Sequence, residues 1–223
     1  MTTRPKDKQV ISKQRVADHG EVFTGEREVN AMLDLVRQET ERIDSRFLEP
    51  ACGTGNFLAE ILRRKLRVVA ARYRRSRLDY ERYAVLAVSS IYGIDILEDN
   101  VIACRGRLLA IFDEAYRAAF KREARDECVA AAAYILSRNI IHGDALTLKT
   151  VGENPQPILF SEWALATGSL MKRRDFTFME LLARAENKEL ALFADNREAF
   201  IPMPVKEYPL VHFLRVGEMT NDE

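Results

Sequence analysis

The sequence lacks any apolar run that approaches the roughly 20 residues needed to span a bilayer. Its N-terminus, Met1 to Lys13, is polar and of mixed charge, and it lacks the apolar core of a signal peptide. We therefore predict a cytoplasmic protein that has no membrane partner.

The sequence also lacks a net charge, because 34 lysine and arginine residues balance 34 aspartate and glutamate residues. The net charge of the molecule would therefore not attract nucleic acid, and any polyanion would have to bind a local patch of positive charge. The composition has no bias toward Gly and Pro or toward Ser and Gln, and so it does not indicate a fibrous or low-complexity chain. With 47% hydrophobic residues, the chain is predicted to fold around one core.

Cysteines are few and show no ligand pattern. Cys52, Cys104 and Cys128 are odd in number and have neither CxxC nor Cys/His spacing. This argues against a disulfide framework and against a zinc site, so we predict buried reduced thiols and no metal.

The chain divides into a predicted flexible N-terminal tail, 1–15, and one domain over 16–223. Thr24 is the predicted N-cap of a first helix, because the apolar residues that follow recur at helical spacing. They are Val29, Met32, Leu33 and Val36.

Residues 47–58 read as a strand, a glycine turn and a helix. Further strands are predicted over Ser90–Ile94, Asn139–His142 and Pro157–Phe160, closed by Asp95, by Gly143-Asp144 and by Ser161-Glu162-Trp163. Strands that alternate with helices predict an α/β fold, with a mostly parallel sheet and helices on both faces. Residues 63–87 and 113–136 are predicted to be helical insertions. Such sheets bind ligands beyond the carboxyl ends of their strands.

The glycine turn alone is weak evidence for a ligand. Gly53-Thr54-Gly55 resembles the start of a dinucleotide fingerprint, but Leu58 stands where the third glycine would be. The turn still lets the backbone come close to a ligand and lets the helix N-terminus receive a carboxylate. A tight turn without any ligand remains the alternative.

Four segments, 19–24, 48–58, 92–96 and 140–146, occur in an order that resembles the adenine-N6 DNA methyltransferases of restriction-modification systems. The likeness covers roughly residues 16–165. It is strongest at 47–58, where Glu49-Pro-Ala-Cys-Gly-Thr-Gly matches the acidic-Pro-Ala-Cys-Gly-Ser/Thr-Gly pattern of that family. The resemblance implies a Rossmann-like class I methyltransferase fold and S-adenosylmethionine as methyl donor.

The resemblance also implies a donor site. The methionine part would lie over Glu49 to Gly55, Asp95 would accept from the ribose hydroxyls, and Asp144 would accept from the adenine amino group. The implied cofactor-binding residues are Phe23, Thr24, Glu49, Pro50, Ala51, Cys52, Gly53, Gly55, Asn56, Phe57, Asp95, Ile96, Asp144, Ala145 and Leu146. Taken singly, an acid at a strand end is often only a helix cap or a solvated loop residue.

The sequence departs from the family at the methyl-acceptor motif, Asn/Asp/Ser-Pro-Pro-Tyr/Phe, which is absent. Asn154-Pro-Gln-Pro157 precedes an apolar run and is interpreted as a turn. By register, Ser161, Glu162 and Trp163 occupy the acceptor position and are the predicted catalytic residues, with Trp163 able to stack on a base. The alternative is that Trp163 is a partly buried aromatic residue.

Eight cations and no acid lie between Arg63 and Arg77. This basic cluster predicts DNA as a partner, with a solvated helix face as the alternative. The chain ends too soon after Trp163 for the family's later strands and a separate target-recognition domain, so a protein partner would supply recognition. The leading hypothesis is an adenine-N6 DNA methyltransferase. The alternative is a non-catalytic S-adenosylmethionine-binding subunit of a restriction-modification or phage-defence assembly, and a different methyl acceptor remains open.

Overall fold

The computed structural model describes Arg15, residues 24–183 and residues 202–219. The predicted donor contact Phe23 and the predicted tail, apart from Arg15, lie outside these residues. Two sheets and the helices between their strands make this part of the chain α/β. None of the helices in the described ranges is both long and apolar enough to cross a membrane.

The helices and strands have the following bounds. The chain begins with α1 (Glu26–Leu35), α2 (Arg37–Thr40), β1 (Phe47–Glu49), α3 (Asn56–Tyr73), α4 (Arg77–Ser89) and β2 (Ile91–Asp95). It continues with α5 (Glu98–Phe120), a 3-10 turn (Lys121–Glu123), α6 (Asp126–Asn139), β3 (Ile140–Asp144) and β4 (Lys149–Thr150). The last elements are β5 (Leu159–Leu165), β6 (Leu170–Thr177), β7 (Lys206–Glu207), β8 (Val211–His212) and a 3-10 helix (Phe213–Glu218).

The predicted helical stretches are confirmed. Residues 63–87 span the end of α3 and most of α4, and residues 113–136 span the end of α5 and most of α6, so each parallel crossover contains two helices. The prediction of Thr24 as N-cap was wrong by one residue: Gly25 is the N-cap of helix α1, which begins at Glu26. The apolar stripes of α3 and α5 enter the main core through Leu58, Ile61, Leu62, Leu66, Val101, Cys104, Leu108 and Phe112.

The first sheet has the order β1-β2-β3-β4. Strands β1, β2 and β3 are parallel, with Glu49 beside Gly93 and Asp95 beside His142, whereas β4 is antiparallel to β3. The carboxyl ends of the three parallel strands therefore meet at one edge of the sheet. The predicted parallel arrangement is confirmed for these strands.

The fourth predicted strand is different. It extends over Leu159–Leu165, beyond the predicted end at Phe160, and pairs antiparallel with β6, so the second sheet is a hairpin extended by β7 and β8. The prediction of a fourth parallel strand was wrong. Of the predicted turn over residues 154–157, Asn154 lies in the bends formed by residues 151–154, and Pro157 forms an isolated antiparallel bridge with Lys149.

The two faces of β2 have different coverings. Ile91 packs in the main core with residues of α3, α4, α5 and α6. Because side chains alternate along a strand, Tyr92 and Ile94 point to the opposite face, where they cluster with Ile158, Phe160 and Phe178. Within the described residues, this face is covered by the hairpin and by helical residues 178–183, of which Phe178 and Leu181 pack in the cluster.

Candidate functional site

A cavity of about 500 Å³ lies beyond the carboxyl ends of β1, β2 and β3. This volume is within the range of about 300–1,000 Å³ that is typical of small-molecule sites. The predicted donor residues that line it are Thr24, Glu49, Pro50, Ala51, Cys52, Gly53, Asn56, Phe57, Asp95, Ile96, Asp144, Ala145 and Leu146. Three separate strand ends thus bring the predicted site together, and we call this cavity the crevice.

The glycine turn from β1 to α3 forms one wall of the crevice. Gly53 and Gly55 both have positive φ, +51° and +83°, a conformation that glycine adopts without steric cost. A Cβ on Gly55 would lie 2.7 Å from the Cys104 sulfur, so a larger residue cannot fit there. Gly55 therefore lets the turn pack against Cys104, and it is not among the residues that line the crevice.

All three cysteines are free and buried, as predicted. Hydrogen bonding to Cys104 and burial together raise the pKa of the Cys52 thiol, which keeps it protonated. The two thiols act as apolar packing beneath the turn.

Asp95 is buried at the end of β2, beside the glycine turn. Its Oδ2 accepts a hydrogen bond from the Gly53 N–H at 2.8 Å, and its Oδ1 accepts from the Leu97 N–H at 2.9 Å. The side-chain amide of Asn100 also donates to Oδ1, at 3.2 Å. These donors fix the carboxylate in one orientation at the crevice and join β2 to the glycine turn.

Asp144 ends β3 on the third side of the crevice. Its Oδ1 accepts from the Leu146 N–H at 2.8 Å and its Oδ2 accepts from the Thr147 hydroxyl at 3.0 Å. The hydrogen bond from Leu146 lowers the pKa of the Asp144 carboxyl, so this group is an anion at neutral pH. The side chains of Leu146 and Ile96 are 95% and 47% exposed, which leaves apolar surface at the crevice for a planar ligand.

Glu49 contributes the third acid. Burial raises the pKa of its carboxyl, and a hydrogen bond from the Ala51 N–H partly offsets this effect. A cationic group bound beside Glu49 would favour the ionised form and would regain part of the desolvation cost.

The start of the continuous range 24–183 is hydrogen-bonded to the glycine turn. The Asn56 side-chain amide donates to the Thr24 carbonyl at 2.8 Å, and Arg107 donates to the Asn56 side-chain oxygen. These contacts hold Thr24 at the crevice, as the resemblance implies.

Sequence reasoning missed Leu97, Asn100 and Gly143, which also line the crevice. Asn100 is 2% exposed and lies in the first turn of α5, five residues after Asp95. The sequence does show an asparagine five residues after a strand-end acid, at the start of a helix. The spacing lets the amide turn back toward the carboxylate.

The predicted acceptor residues do not reach the crevice in the described structure. Ser161 and Trp163 are buried inside strand β5, where Ser161 donates to Asp175 at 2.7 Å and the Trp163 indole donates to Asn139 at 3.0 Å. Glu162 forms ion pairs with Arg46 and Arg174 at 3.0 and 2.9 Å. The predicted position of these residues, in a loop after a parallel strand, was wrong because β5 continues through them and pairs with β6.

Ser161 and Glu162 line a different cavity, of about 620 Å³. Its other walls include Arg46, Tyr92 and Phe178, and among the residues described it shares none with the crevice. The acceptor and donor residues of the sequence analysis thus lie in two separate cavities.

The basic cluster is not one exposed face. Arg64 and Lys65 are buried, and Arg63, Arg64 and Arg67 all pair with the buried Glu60. The exposed cations at the end of α3 are Arg72, Arg74 and Arg75, which form no ion pair with a carboxylate in the part of the chain described. Helix α3 starts at the crevice and its 18 residues span about 27 Å, so this surface lies at the opposite end of the sheet.

Lys65 has a structural role in place of the predicted nucleic-acid contact. Its ammonium donates to the carbonyls of Ile43 and Ser45 and to the Ser90 hydroxyl, next to the starts of β1 and β2. Burial lowers the pKa of Lys65 to about 7.

The lowered pKa of Lys65 predicts that stability depends on pH. Between pH 7 and the ordinary pKa of 10.5, the unfolded chain holds a proton that the folded chain has lost, so the free energy of unfolding rises with pH. The contribution is up to about 1.4 kcal/mol per pH unit. Urea unfolding at pH 7, 8 and 9 should show wild type gaining stability relative to Lys65→Met. A difference that stays constant over this range would contradict the prediction.

Comparison with known proteins gives no family for this chain: no protein-family model, no curated protein and no solved structure matches it.

Proposed function

We propose that the chain binds S-adenosylmethionine in the crevice, as a Rossmann-like class I methyltransferase of the adenine-N6 DNA type does. One observation carries the proposal: acids at the ends of three parallel strands and the glycine turn line the same cavity. A chance acid at one strand end would not bring acids from three strand ends and the glycine turn to one cavity. Strands β1, β2 and β3 are neighbours and parallel, so their carboxyl ends lie together where ligands bind in open α/β sheets.

The chemistry of the walls fits the donor. Glu49 suits the ammonium or sulfonium group, since burial disfavours its charge until a cation is present. Asp95 has lone pairs that can accept from ribose hydroxyls, and Asp144 can accept from an adenine amino group. Ile96 and Leu146 offer apolar surface to the adenine ring.

When bound, S-adenosylmethionine supplies a methyl group that its sulfonium already activates. The residues of the crevice would bind and orient that donor, and the acceptor would need a separate group that holds a nucleophile in line. The proposed acceptor is the N6 amino group of adenine in DNA, with a partner protein supplying target recognition.

The second candidate function is a donor-binding subunit without catalysis of its own. The specific observation in its favour is the burial of Ser161 and Trp163 within β5, away from the crevice. In this case, the chain binds the donor within a restriction-modification or phage-defence assembly, and another chain transfers the methyl group.

Calorimetry tests the proposed function directly. We expect S-adenosylmethionine and S-adenosylhomocysteine each to bind at a ratio of 1:1, with NAD as a ligand that does not bind. No heat with either ligand, using protein shown to be folded by circular dichroism, would refute the donor site. Transfer of tritiated methyl groups to DNA, RNA and protein pools then separates the two candidates, because the subunit binds the donor without labelling any pool.

DNA association is proposed to depend on Arg72, Arg74 and Arg75. Replacing all three with glutamate should abolish binding to a fluorescent duplex, and wild-type affinity should fall steeply as salt rises because phosphate contacts release counterions. Anisotropy at several salt concentrations measures both effects. The matched control replaces Arg37, Arg42 and Arg117 with glutamate, because these arginines are exposed but paired with acids. Equal loss in both triple variants would show a net-charge effect and would remove the assignment to this surface.

A further inference from the structure

Asn100 is held between two charged groups at the edge of the crevice. Its side-chain Nδ2 donates to Asp95 Oδ1 at 3.2 Å, and its Oδ1 accepts from the Arg15 guanidinium at 3.3 Å. A carboxylate only accepts and a guanidinium only donates, so the amide can satisfy both neighbours in one orientation alone. At 2% exposure, Asn100 has almost no contact with water that could replace either neighbour.

Arg15 is anchored independently of the amide. Its guanidinium donates to both oxygens of Asp99, at 2.6 and 3.3 Å, in the bidentate geometry that favours arginine. The resulting chain of contacts runs from Arg15 through Asn100 to Asp95, and Asp95 in turn accepts from the Gly53 N–H. A residue distant in sequence is thereby linked to both walls of the crevice.

From these contacts we propose that Asn100 is a positioning residue, which holds the Asp95 carboxylate in the orientation that receives a ribose diol, and that Arg15 sets the orientation of Asn100. The inference rests on the proposed function, since Asp95 is the group that would touch the ligand. Asn100 acts through Asp95, so its effect is confined to recognition of the ribose hydroxyls.

The choice of asparagine follows from this geometry. Aspartate at position 100 would have the same shape, but it would place an acceptor against the Asp95 carboxylate and add like-charge repulsion. Alanine would remove the donor and leave Asp95, within the described part of the chain, held by the N–H groups of Gly53 and Leu97. Both substitutions should therefore impair ribose recognition, and aspartate should impair it more.

The test measures preference for the diol by comparing adenosine with 2′,3′-dideoxyadenosine as competitors of S-adenosylhomocysteine. Wild type should prefer adenosine. Asn100→Ala should bind S-adenosylhomocysteine about 5- to 20-fold more weakly, less than the loss expected on removing Asp95 itself, because the Asp95 carboxylate stays but is no longer held in place for the ribose hydroxyls. Its preference for adenosine should fall toward one. Asn100→Asp should lose more affinity while keeping the packing volume, and Arg15→Ala should have a smaller effect in the same direction.

Two controls separate positioning from general stability. Glu98→Ala changes an exposed residue in the same turn of α5 and should leave the preference intact. Asn139→Ala removes a buried amide that donates to Ser89 and Ile91 outside the crevice, so it should lower the melting temperature without changing the preference.

The outcomes are distinct. If folded wild type binds S-adenosylhomocysteine and prefers adenosine, but folded Asn100→Asp and Asn100→Ala keep that full preference, the positioning role is overturned and the donor site stands. If wild type binds none of these ligands, the proposed function itself fails.

Discussion

Asp95→Ala should weaken S-adenosylmethionine binding by roughly 10- to 150-fold. The reason is that a hydrogen bond to a charged group is worth about 1.5–3 kcal/mol, and the buried Asp95 carboxylate is the acceptor that the crevice presents at the end of β2. The substitution also removes the acceptor that joins the Gly53 N–H to the Leu97 N–H, so the glycine turn loses its link to β2. Calorimetric titration of both proteins measures the loss.

Glu98→Ala is the matched control for this prediction. Glu98 is an acid three residues along the chain, but it is exposed on the first turn of α5 and does not line the crevice. Its replacement should leave donor affinity unchanged. Equal losses in the two variants, with both melting like wild type, would mean that the ribose does not meet the end of β2.

The crevice could be predicted because its determinants are local. Each strand end was marked by an apolar run closed by an acid, and the glycine turn at Gly53 was visible as a short motif. Parallel topology then places such ends at one edge without any knowledge of side-chain contacts. Asn100 was missed because its role depends on a contact with Asp95 that a strand-end rule does not consider.

The hairpin could not be predicted in the same way. Residues 158–160 form an apolar run, and the polar residues Ser161 and Glu162 then resemble a strand end. The strand continues because Ser161 meets a distant partner, Asp175, which also forms a buried ion pair with Arg173 at 2.7 Å. A buried polar residue is tolerated when it is hydrogen-bonded, and the partner here is supplied by long-range pairing of β5 with β6.

The basic cluster carried a signal that would have corrected its interpretation. Glu60 precedes the run by one helical turn, and residues three and four apart face each other on a helix. Arg63 and Arg64 stand at these spacings and do pair with Glu60. The burial of Lys65 could not be anticipated, because it depends on carbonyls at the starts of two strands.

Trp163→Ala should lower the free energy of unfolding by about 3–5 kcal/mol, as is usual when a large buried aromatic side chain is removed. Trp163 is 4% exposed, and its indole donates to Asn139 and packs edge-on against Tyr134 with ring centroids 6.2 Å apart. The Arg173 guanidinium lies 5.6 Å from its ring, so the cavity would also open beside a buried charge. Urea unfolding followed by circular dichroism measures the loss without relying on the fluorescence of this tryptophan.

Trp163→Phe separates packing from catalysis. Phenylalanine keeps most of the apolar volume but lacks the indole N–H, so it should destabilise the fold less than alanine does. We expect the free energy of unfolding to fall by about 1–3 kcal/mol, because the Asn139 oxygen is left without this donor. Donor affinity should be unchanged in both folded variants, because Trp163 does not line the crevice. If Trp163→Ala instead kept its stability and lost methyl transfer that wild type performs, the residue would belong to the acceptor site after all, and the burial of β5 would not describe the active protein.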